Sequence, residues 1–400
     1  MDRHSFDRFA RALAAALPRR AALGGLLGGL LGSTVISHEV SAKRKRRKKK
    51  NKKKRCAPNC AGKVCGPNGC GGSCGSCSGS TRCDAQGRCV DCATATDCAA
   101  VACQAATCAA SVCQYAPIAD GTNCGGSRVC CSGGCTDTRW DAANCDGCGM
   151  ACDAGQACVA GQCRTCDVCA SGCAHTTLQA AVTAANAGAT VTLCPGVYVG
   201  QTFITKDLTV RGLGADPTAT VLTNPTGRIV TSDFPKTVTL RNVTVSGVNS
   251  GFAPAILNQG TMTLQEVHVI DNTATANGGG LVTNSVGNVA ILIDSVVRGN
   301  AAREGAGIYT FGGTATTLIR TRIEDNEARE GGGIYNQGAV NLTDNSVITG
   351  NTATGNNGVF GGGIVNIGAN AALVINSGGR IEDNTPDDCI DEGGATACPA

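Results

Sequence analysis

The sequence contains few aromatic side chains and few histidines. Phe, Trp and Tyr together make up 3% of the 400 residues, and there are four histidines. Sugar-binding clefts use aromatic rings as stacking platforms, so this scarcity argues against an aromatic-lined glycan cleft. His175 is the only histidine near the cysteines, which disfavours zinc sites built from Cys and His together.

Long apolar runs and long amphipathic helices are also missing. The one candidate membrane span, residues 21–36, is shorter than the roughly 20 apolar residues that a spanning helix needs. The C-terminal half consists of short strand-like runs punctuated by Gly and Asn, with no helix long enough to alternate with them. Strands without crossover helices favour a solenoid over a doubly wound sheet.

A short phrase recurs from Met262 to Asn384: an apolar strand, an Asn, a glycine-rich corner, a second strand and a second Asn. Two copies read ILIDSVVRGN then GAGIYT, and TLIRTRIEDN then GGGIYN. The Asn residues that close the first strand are 28, 26, 25 and 33 positions apart by subtraction, a period typical of stacked units. We therefore predict an all-β fold, a right-handed parallel β-helix over residues 174–388, whose coils lie about 4.8 Å apart.

Equivalent residues of successive coils should stack into columns. The first predicted column closes the first strands and the second closes the second strands, where Thr310 interrupts it. Asn tolerates the left-handed turn conformation, and its amide can donate to one neighbouring coil and accept from the other. We interpret both columns as structural ladders rather than ligand sites; they comprise Asn272, Asn300, Asn326, Asn351 and Asn384, and Asn258, Asn284, Asn336 and Asn366.

The GGGIYN and DN phrases resemble the repeats of right-handed parallel β-helix proteins of the pectin-lyase-like superfamily, especially the polymorphic outer-membrane-protein type of surface repeat. The resemblance covers about the second half of the chain and implies the fold. It leaves the activity open, since that superfamily includes polysaccharide lyases, hydrolases, adhesins and passive surface proteins.

An enzyme on this fold would need carboxylates on one coil face, for Ca²⁺ or for acid–base chemistry. The candidates are Glu324, Asp325 and Asp383. Asp271, Asp325 and Asp383 fall in alternate coils, about 9.6 Å apart, with glycines between them. Repulsion between like charges on adjacent strands would give the same alternation. The Asp-Asp, His-Gly and Arg-x-Lys constellation of the hydrolases is absent from the coils.

Three further features bear on a site. The Asp-Asp pair at 387–388 belongs to the acidic C-terminal stretch that starts at Pro386 and is not expected on a coil face. His268 stands alone on its strand and is expected to face solvent. The few aromatic residues near the glycine corners could form a small patch, or a packing column at one repeat position; they are Tyr309, Phe311, Tyr335 and Phe360.

The N-terminus reads as an export signal followed by a basic arm. Residues 1–42 contain Arg19-Arg20, a modestly apolar stretch and a small-residue cleavage site at Val40-Ser41-Ala42, in the order of a twin-arginine signal peptide. An uncleaved anchor is the alternative, because Gly24, Gly28 and Gly32 have helix-packing spacing. The arm, residues 43–55, comprises Lys43, Arg44, Lys45, Arg46, Arg47, Lys48, Lys49, Lys50, Lys52, Lys53, Lys54 and Arg55, with Asn51 among them.

The arm is expected to be extended and solvated, since it has no apolar side chain to bury. An export signal before it argues against specific nucleic-acid recognition and favours an anionic wall polymer, polysaccharide or lipid surface. Alternatively, the arm only regulates export or is trimmed away. Outside residues 1–55 the chain holds seventeen basic and twenty-seven acidic residues, so the remainder is acidic.

Twenty-five of the twenty-eight cysteines lie in residues 56–173, a segment poor in core-forming residues. Such a segment needs staples, either disulfides or zinc, and export favours disulfides. Because twenty-five is odd, the simplest pairing joins Cys194 to this module and Cys389 to Cys398, clasping a tail of residues 389–400. The run from Cys130 to Cys163 resembles the stigma-specific family of secreted cysteine-rich proteins, which implies an extracellular module without catalysis.

The sequence thus predicts a secreted or cell-surface bacterial-type protein: a non-enzymatic, monomeric β-helix scaffold for adhesion to surface polymers or polysaccharide, without cofactors. A polysaccharide lyase or hydrolase, with Ca²⁺ as a possible cofactor, is the alternative. A helical segment at residues 175–186 is expected to cap the solenoid at its N-terminal end.

Deleting residues 43–55 is expected to abolish most binding of the mature protein to anionic vesicles, because released counterions drive such binding. Co-sedimentation at low and raised salt measures this. The intact protein should lose binding steeply as salt rises, and the deletion protein should bind little at any salt. Binding that is insensitive both to salt and to the deletion would contradict the role of the arm.

Overall fold

The structure is a computed structural model of the chain and describes residues 56–78, 81–251, 253–355, 361–393 and 398. It comprises two units, Met1–Pro58 and Asn59–Ala400, and the fold given below is that of the second unit. The predicted signal peptide and basic arm lie outside the described residues. Across the described ranges, no helix has both the length and the apolar character of a membrane span.

The first part of this unit is a chain of small antiparallel hairpins. Its strands pair only with sequence neighbours, and a short 3₁₀ helix spans Ala95–Asp97. The strands are β1 (Arg82–Cys83), β2 (Cys89–Val90), β3 (Gln104–Ala109), β4 (Val112–Pro117), β5 (Asn123–Gly125), β6 (Arg128–Cys131), β7 (Gly134–Thr136), β8 (Gln156–Val159) and β9 (Gln162–Thr165).

Disulfides hold these hairpins together, and no cysteine of the described chain is free. Most bridges join cysteines 11 to 18 positions apart, so each staples a local loop. The buried side chains of this part are mainly the cysteines themselves, which replace the core that its composition cannot supply. So many disulfides indicate an extracytoplasmic protein.

The second part is a parallel β-solenoid of about seven turns. Three faces run along it. Face A contains β10 (Thr190–Leu193), β13 (Leu208–Gly212), the first halves of β16 (Thr237–Ser246) and β19 (Thr261–Ile270), β22 (Val289–Ile293), β26 (Ala315–Ile319), β30 (Ala339–Thr343) and β34 (Ala372–Ile375).

Face B follows face A in each turn. It contains β11 (Gly196–Val199), β14 (Thr220–Thr223), the second halves of β16 and β19, β23 (Val296–Arg298), β27 (Arg322–Glu324), β31 (Val347–Thr349) and β35 (Arg380–Glu382). A 3₁₀ helix at Pro217–Ala219 precedes β14.

Face C closes each turn. It contains β12 (Thr202–Ile204), β15 (Val230–Ser232), β18 (Ile256–Asn258), β21 (Leu281–Thr283), β25 (Ile308–Thr310), β29 (Ile334–Asn336), β33 (Gly361–Ile367) and β36 (Asp387–Glu392). A short strip between faces B and C contains β17 (Asn249–Ser250), β20 (Thr273–Ala274), β24 (Ala301–Glu304), β28 (Glu327–Glu330) and β32 (Thr352–Ala353).

The predicted all-β solenoid with a disulfide-rich N-terminal region is confirmed.

Stacked aliphatic side chains form the core. On face A the parallel register places five leucines one above the next, and each is fully buried; they are Leu240, Leu264, Leu292, Leu318 and Leu342. Burying such a side chain stabilises the fold by about 1.5–3 kcal/mol. The alternation of buried and half-buried residues along each strand turns one set of side chains into the core and the other set outward.

One helix covers the N-terminal end of the solenoid. It is α1 (Leu178–Ala184), and the Thr177 hydroxyl caps it by accepting a hydrogen bond from the Ala180 amide. Leu178 lies on its buried face, as predicted, together with Ala181 and Val182. The Cys166–Cys194 bridge ties the cysteine-rich region to the first coil, and Val168 pairs with Leu193 at its edge. The far end carries the Cys389–Cys398 bridge.

The first Asn column is a continuous, buried hydrogen-bonded ladder. Each Nδ2 donates to the Oδ1 of the next coil, at 2.8–3.0 Å, from Asn272 through to Asn384. Each Oδ1 also accepts from the backbone amide of the preceding Asn, for example Asn300 N to Asn326 Oδ1 at 3.0 Å. Every rung therefore satisfies both backbone and side-chain groups away from water.

The second column differs from the predicted one. Asn284 does not belong to it, because the register pairs Asn258 with Thr283, one residue earlier. Thr310 takes the next position, and its hydroxyl is bonded to that of Thr316 at 2.9 Å, which replaces the amide contact. Asn336 and Asn366 are linked at 2.8 Å. The second column is thus a broken series of polar side chains instead of a uniform Asn ladder.

Replacing Asn326 by Ala is expected to lower the free energy of unfolding by about 2–4 kcal/mol, because the buried partners on both neighbouring coils lose their hydrogen bonds. Asn284→Ala, outside the column, is the matched control and should change stability by less than about 1 kcal/mol. Urea titration of both variants with the disulfides intact measures the difference. Equal effects of the two substitutions would contradict the ladder's contribution.

Candidate functional site

The carboxylates proposed for an enzyme are engaged in local contacts. Glu324 faces outward on β27 and pairs with Arg322, at 2.6 Å between Oε2 and Nη2, and more loosely with Arg298 at 3.9 Å. Asp325 and Asp383 are two coils apart and lie in the left-handed backbone region, with φ of 54° and 60°. The structure therefore does not bring the three side chains together on one coil.

The alternation of Asp and Gly at this position has a conformational cause. Asp271, Gly299, Asp325, Gly350 and Asp383 all have positive φ, between 54° and 67°. A Cβ built on Gly299 would lie 2.5 Å from Oδ1 of Asp271, and one on Gly350 would lie 2.8 Å from Oδ1 of Asp325. The side chains of Asp271 and Asp325 thus each lie over the glycine of the next coil. Backbone conformation and close packing account for the pattern, in addition to the charge spacing predicted from the sequence.

His268 lies half-buried in an outward column of face B, between Thr244 and Val296. Burial lowers the pKa of its imidazole, and the nearby Arg298 guanidinium lowers it further, while the Asp216 carboxylate acts in the opposite direction. Burial and Arg298 thus both favour the neutral form of this imidazole.

The Asp-Asp pair at 387–388 lies on β36, which pairs with β33 in face C, so it is part of a coil face after all. Asp388 Oδ1 accepts hydrogen bonds from the backbone amide and the Nδ2 of Asn384, both at 2.8 Å, and so terminates the Asn ladder. Asp387 also lines an open cavity of about 640 Å³ with Arg380 and Glu382.

The groups of metal-ligating atoms within 4.8 Å of one another in the described chain are cysteines, and those cysteines are disulfide-bonded.

Face A carries an ordered array of threonine and aliphatic side chains. Its outward positions hold no acidic residue, and from β22 onward no charged residue. The central column contains Thr190, Thr209, Thr239, Thr263, Ile291, Thr317, Asn341 and Val374. The flanking columns contain Thr237, Thr261, Val289, Ala315, Ala339 and Ala372, and Thr192, Arg211, Arg241, Gln265, Ile293, Ile319 and Thr343.

Face B has a different surface. Its outward positions in the later coils alternate in charge and form ion pairs, such as Arg298 with Glu324 and Arg380 with Glu382. The Thr-x-Thr alternation that builds face A is visible in the sequence at 190–192, 237–239 and 261–263. Sequence reasoning overlooked it because the Asn and Gly repeats are more conspicuous than period-2 alternation.

A groove of about 420 Å³ lies against the outer surface of face C. Its apolar part includes Leu257, Val282 and Phe311, and its polar part includes Arg228 and Arg303, together with Asn277 and Asn284. These residues come from five different segments of the sequence, so no contiguous sequence motif indicates the groove. Only Phe311 was singled out from the sequence, as part of an aromatic patch.

An acidic and aromatic network borders this groove. Glu304 on β24 lies opposite Glu330 on β28 and pairs with Arg303 at 3.2 Å. Burial raises the pKa of the Glu304 carboxyl, whereas the Arg303 guanidinium lowers it. The Glu330 charge raises it further. The Asn277 side chain acts against burial and lowers the pKa of both Glu304 and Tyr309.

The aromatic residues form a packing column. The rings of Tyr309 and Tyr335 are stacked, with centroids 5.1 Å apart and planes 12° apart, and Phe311 lies 4.8 Å from Tyr309. Burial raises the pKa of both tyrosines, that of Tyr335 to about 12. Both tyrosines are buried and pack with Val282 in a hydrophobic cluster that is separate from the main core. Phe360, the fourth residue of the predicted patch, lies outside the described residues.

Comparisons with known proteins give little guidance on function. No protein-family model matches the chain, and no curated protein matches it. Among solved structures, the chain is similar to the crystal structure of Escherichia coli YbhC, with 17% identity over 55% of this chain and 72% of that chain, and a TM-score of 0.33. A likeness of this size says nothing about activity.

The raised pKa of Glu304 predicts a specific pH dependence. The folded state binds the Glu304 proton more tightly than the unfolded state does, so this group's contribution to stability falls as pH rises from about its ordinary pKa of 4.5 through the folded value. Glu304→Gln does not titrate. Its stability relative to the native protein should therefore increase across this window and then level off.

Urea unfolding between pH 4 and neutrality measures this difference. Glu327→Gln, at an exposed position of the next coil, serves as the matched control and should show no comparable trend. A stability difference for Glu304→Gln that stays constant with pH would contradict the prediction.

Proposed function

We propose that this protein is an exported, secreted or cell-surface scaffold that binds an insoluble surface polysaccharide or wall polymer through face A of its solenoid. The observation that carries the proposal is the array of outward Thr and aliphatic side chains on parallel strands, at the strand spacing of about 4.8 Å. A flat and regular protein surface suits a flat and regular polymer surface better than it suits a single small molecule.

The chemistry of face A fits a neutral polymer surface. Threonine hydroxyls can exchange hydrogen bonds with sugar hydroxyls, while their methyl groups and the neighbouring Ile and Val side chains can contact the apolar faces of sugar rings. No outward carboxylate on this face repels an anionic polymer, and Arg211 and Arg241 lie at its N-terminal end.

The scaffold suits a surface protein. Disulfides staple the N-terminal region, and the Asn ladder fixes the stacking of the coils, so face A is held rigid before it binds. Rigid surfaces lose little conformational entropy on binding. The basic arm, residues 43–55, would add a separate electrostatic attachment to anionic wall polymer or lipid surface.

Placing a charge on face A tests the proposal. Ile291→Glu combined with Thr317→Glu is expected to reduce the fraction of mature protein retained on insoluble cellulose, chitin or peptidoglycan at least ten-fold on the polymer that the native protein binds. The measurement is pull-down at raised salt, which suppresses the contribution of the basic arm.

Thr349→Glu, at an outward position of face B, is the matched control and should leave retention unchanged. Equal retention of the native and face A variants on every polymer would overturn the assignment of face A. Calcium-dependent release of unsaturated sugar from an acidic polysaccharide would instead establish the lyase alternative.

A further inference from the structure

The groove on the outer surface of face C has a chemistry different from that of face A. Its floor contains Leu257 and Val282, each less than a tenth exposed, and Phe311 lies beside them. Arg228 contributes a cationic group on the same wall. A groove of about 420 Å³ with this composition has the size and the mixed apolar and polar lining of a small-ligand site.

Arg228 has unused hydrogen-bonding capacity. Its Nε is buried and has no hydrogen-bond partner, and no ion pair joins it to a carboxylate of the described residues. A buried N–H without a partner is unfavourable, because the group has lost its hydrogen bonds to water. A carboxylate suits this position because it can accept two parallel N–H bonds from one guanidinium.

The other charges at the groove are already paired. Arg303 lines the groove, but its Nη2 lies 3.2 Å from Oε1 of Glu304. The charge of Glu304 is therefore compensated by Arg303. Arg228 is the groove cation that no carboxylate of the described residues pairs with, so it can attract an anion.

We infer that this groove binds a carboxylate that is attached to an apolar group, as at the C-terminus of a peptide ending in an aliphatic residue. Arg228 holds the carboxylate, and the apolar side chain lies against Leu257, Val282 and Phe311. A sugar acid is the less suitable occupant, because its ring hydroxyls would lie against the apolar floor without partners. The site is separate from face A and does not depend on the function proposed for that face.

Saturation-transfer NMR with N-acetylleucine, N-acetylleucinamide and N-acetylserine on the full mature chain tests the site. We expect transfer to N-acetylleucine and at least ten-fold weaker binding of the amide, which lacks the charge, and of the serine compound, which lacks the apolar group. Digalacturonate should not displace N-acetylleucine. Displacement by digalacturonate would show that the site recognises a sugar acid and would overturn the proposal.

Arg228→Gln is expected to weaken N-acetylleucine binding at least ten-fold. Arg228→Lys keeps the charge but lacks the planar pair of donors, and should also bind several-fold more weakly. Arg322→Gln, on face B, is the matched control and should bind normally. Circular dichroism verifies that each variant is folded. Undetectable transfer to N-acetylleucine in the native protein, or undiminished binding by both Arg228 variants, would also overturn the proposal.

Discussion

Parallel hydrogen bonding between successive coils is the interaction on which this structure depends. Because each coil lies one strand spacing from the next, every side chain meets the residue at the same position of its neighbours. Leucines therefore stack on leucines in the core, and asparagines stack on asparagines at the corner between face B and face C. A side chain that does not fit at one position therefore disturbs the packing of both neighbouring coils.

This stacking explains why many polar residues of the repeat are structural. A buried amide is tolerated only where its donors and acceptor are all satisfied, and the Asn ladder meets that condition at each rung. The left-handed corner admits only residues that tolerate positive φ, and two adjacent coils cannot both accommodate an Asp side chain there. Asp325 and Asp383, two of the three residues of the candidate catalytic set, thus lie at this turn.

The same constraint leaves the outward positions free to differ between faces. Face B compensates its charges by pairing, within one strand between Arg322 and Glu324 and across coils between Arg298 and Glu324. Face A avoids charge along most of its length and presents Thr and aliphatic side chains instead. Two surfaces of one solenoid thereby acquire different chemistry, and the groove on face C adds a third.

The solenoid, its approximate period, the disulfide-rich region and the buried face of helix α1 could all be predicted from the sequence, because these depend on local spacing and composition. The register was harder to predict. Asn284 resembles a member of the second column, yet Thr283 occupies that position. A shift of one residue turns a side chain from one side of a strand to the other. The surroundings of Arg228 were decided only by the tertiary structure. Its groove joins segments far apart in the chain, and whether a guanidinium is paired depends on which coils lie beside it.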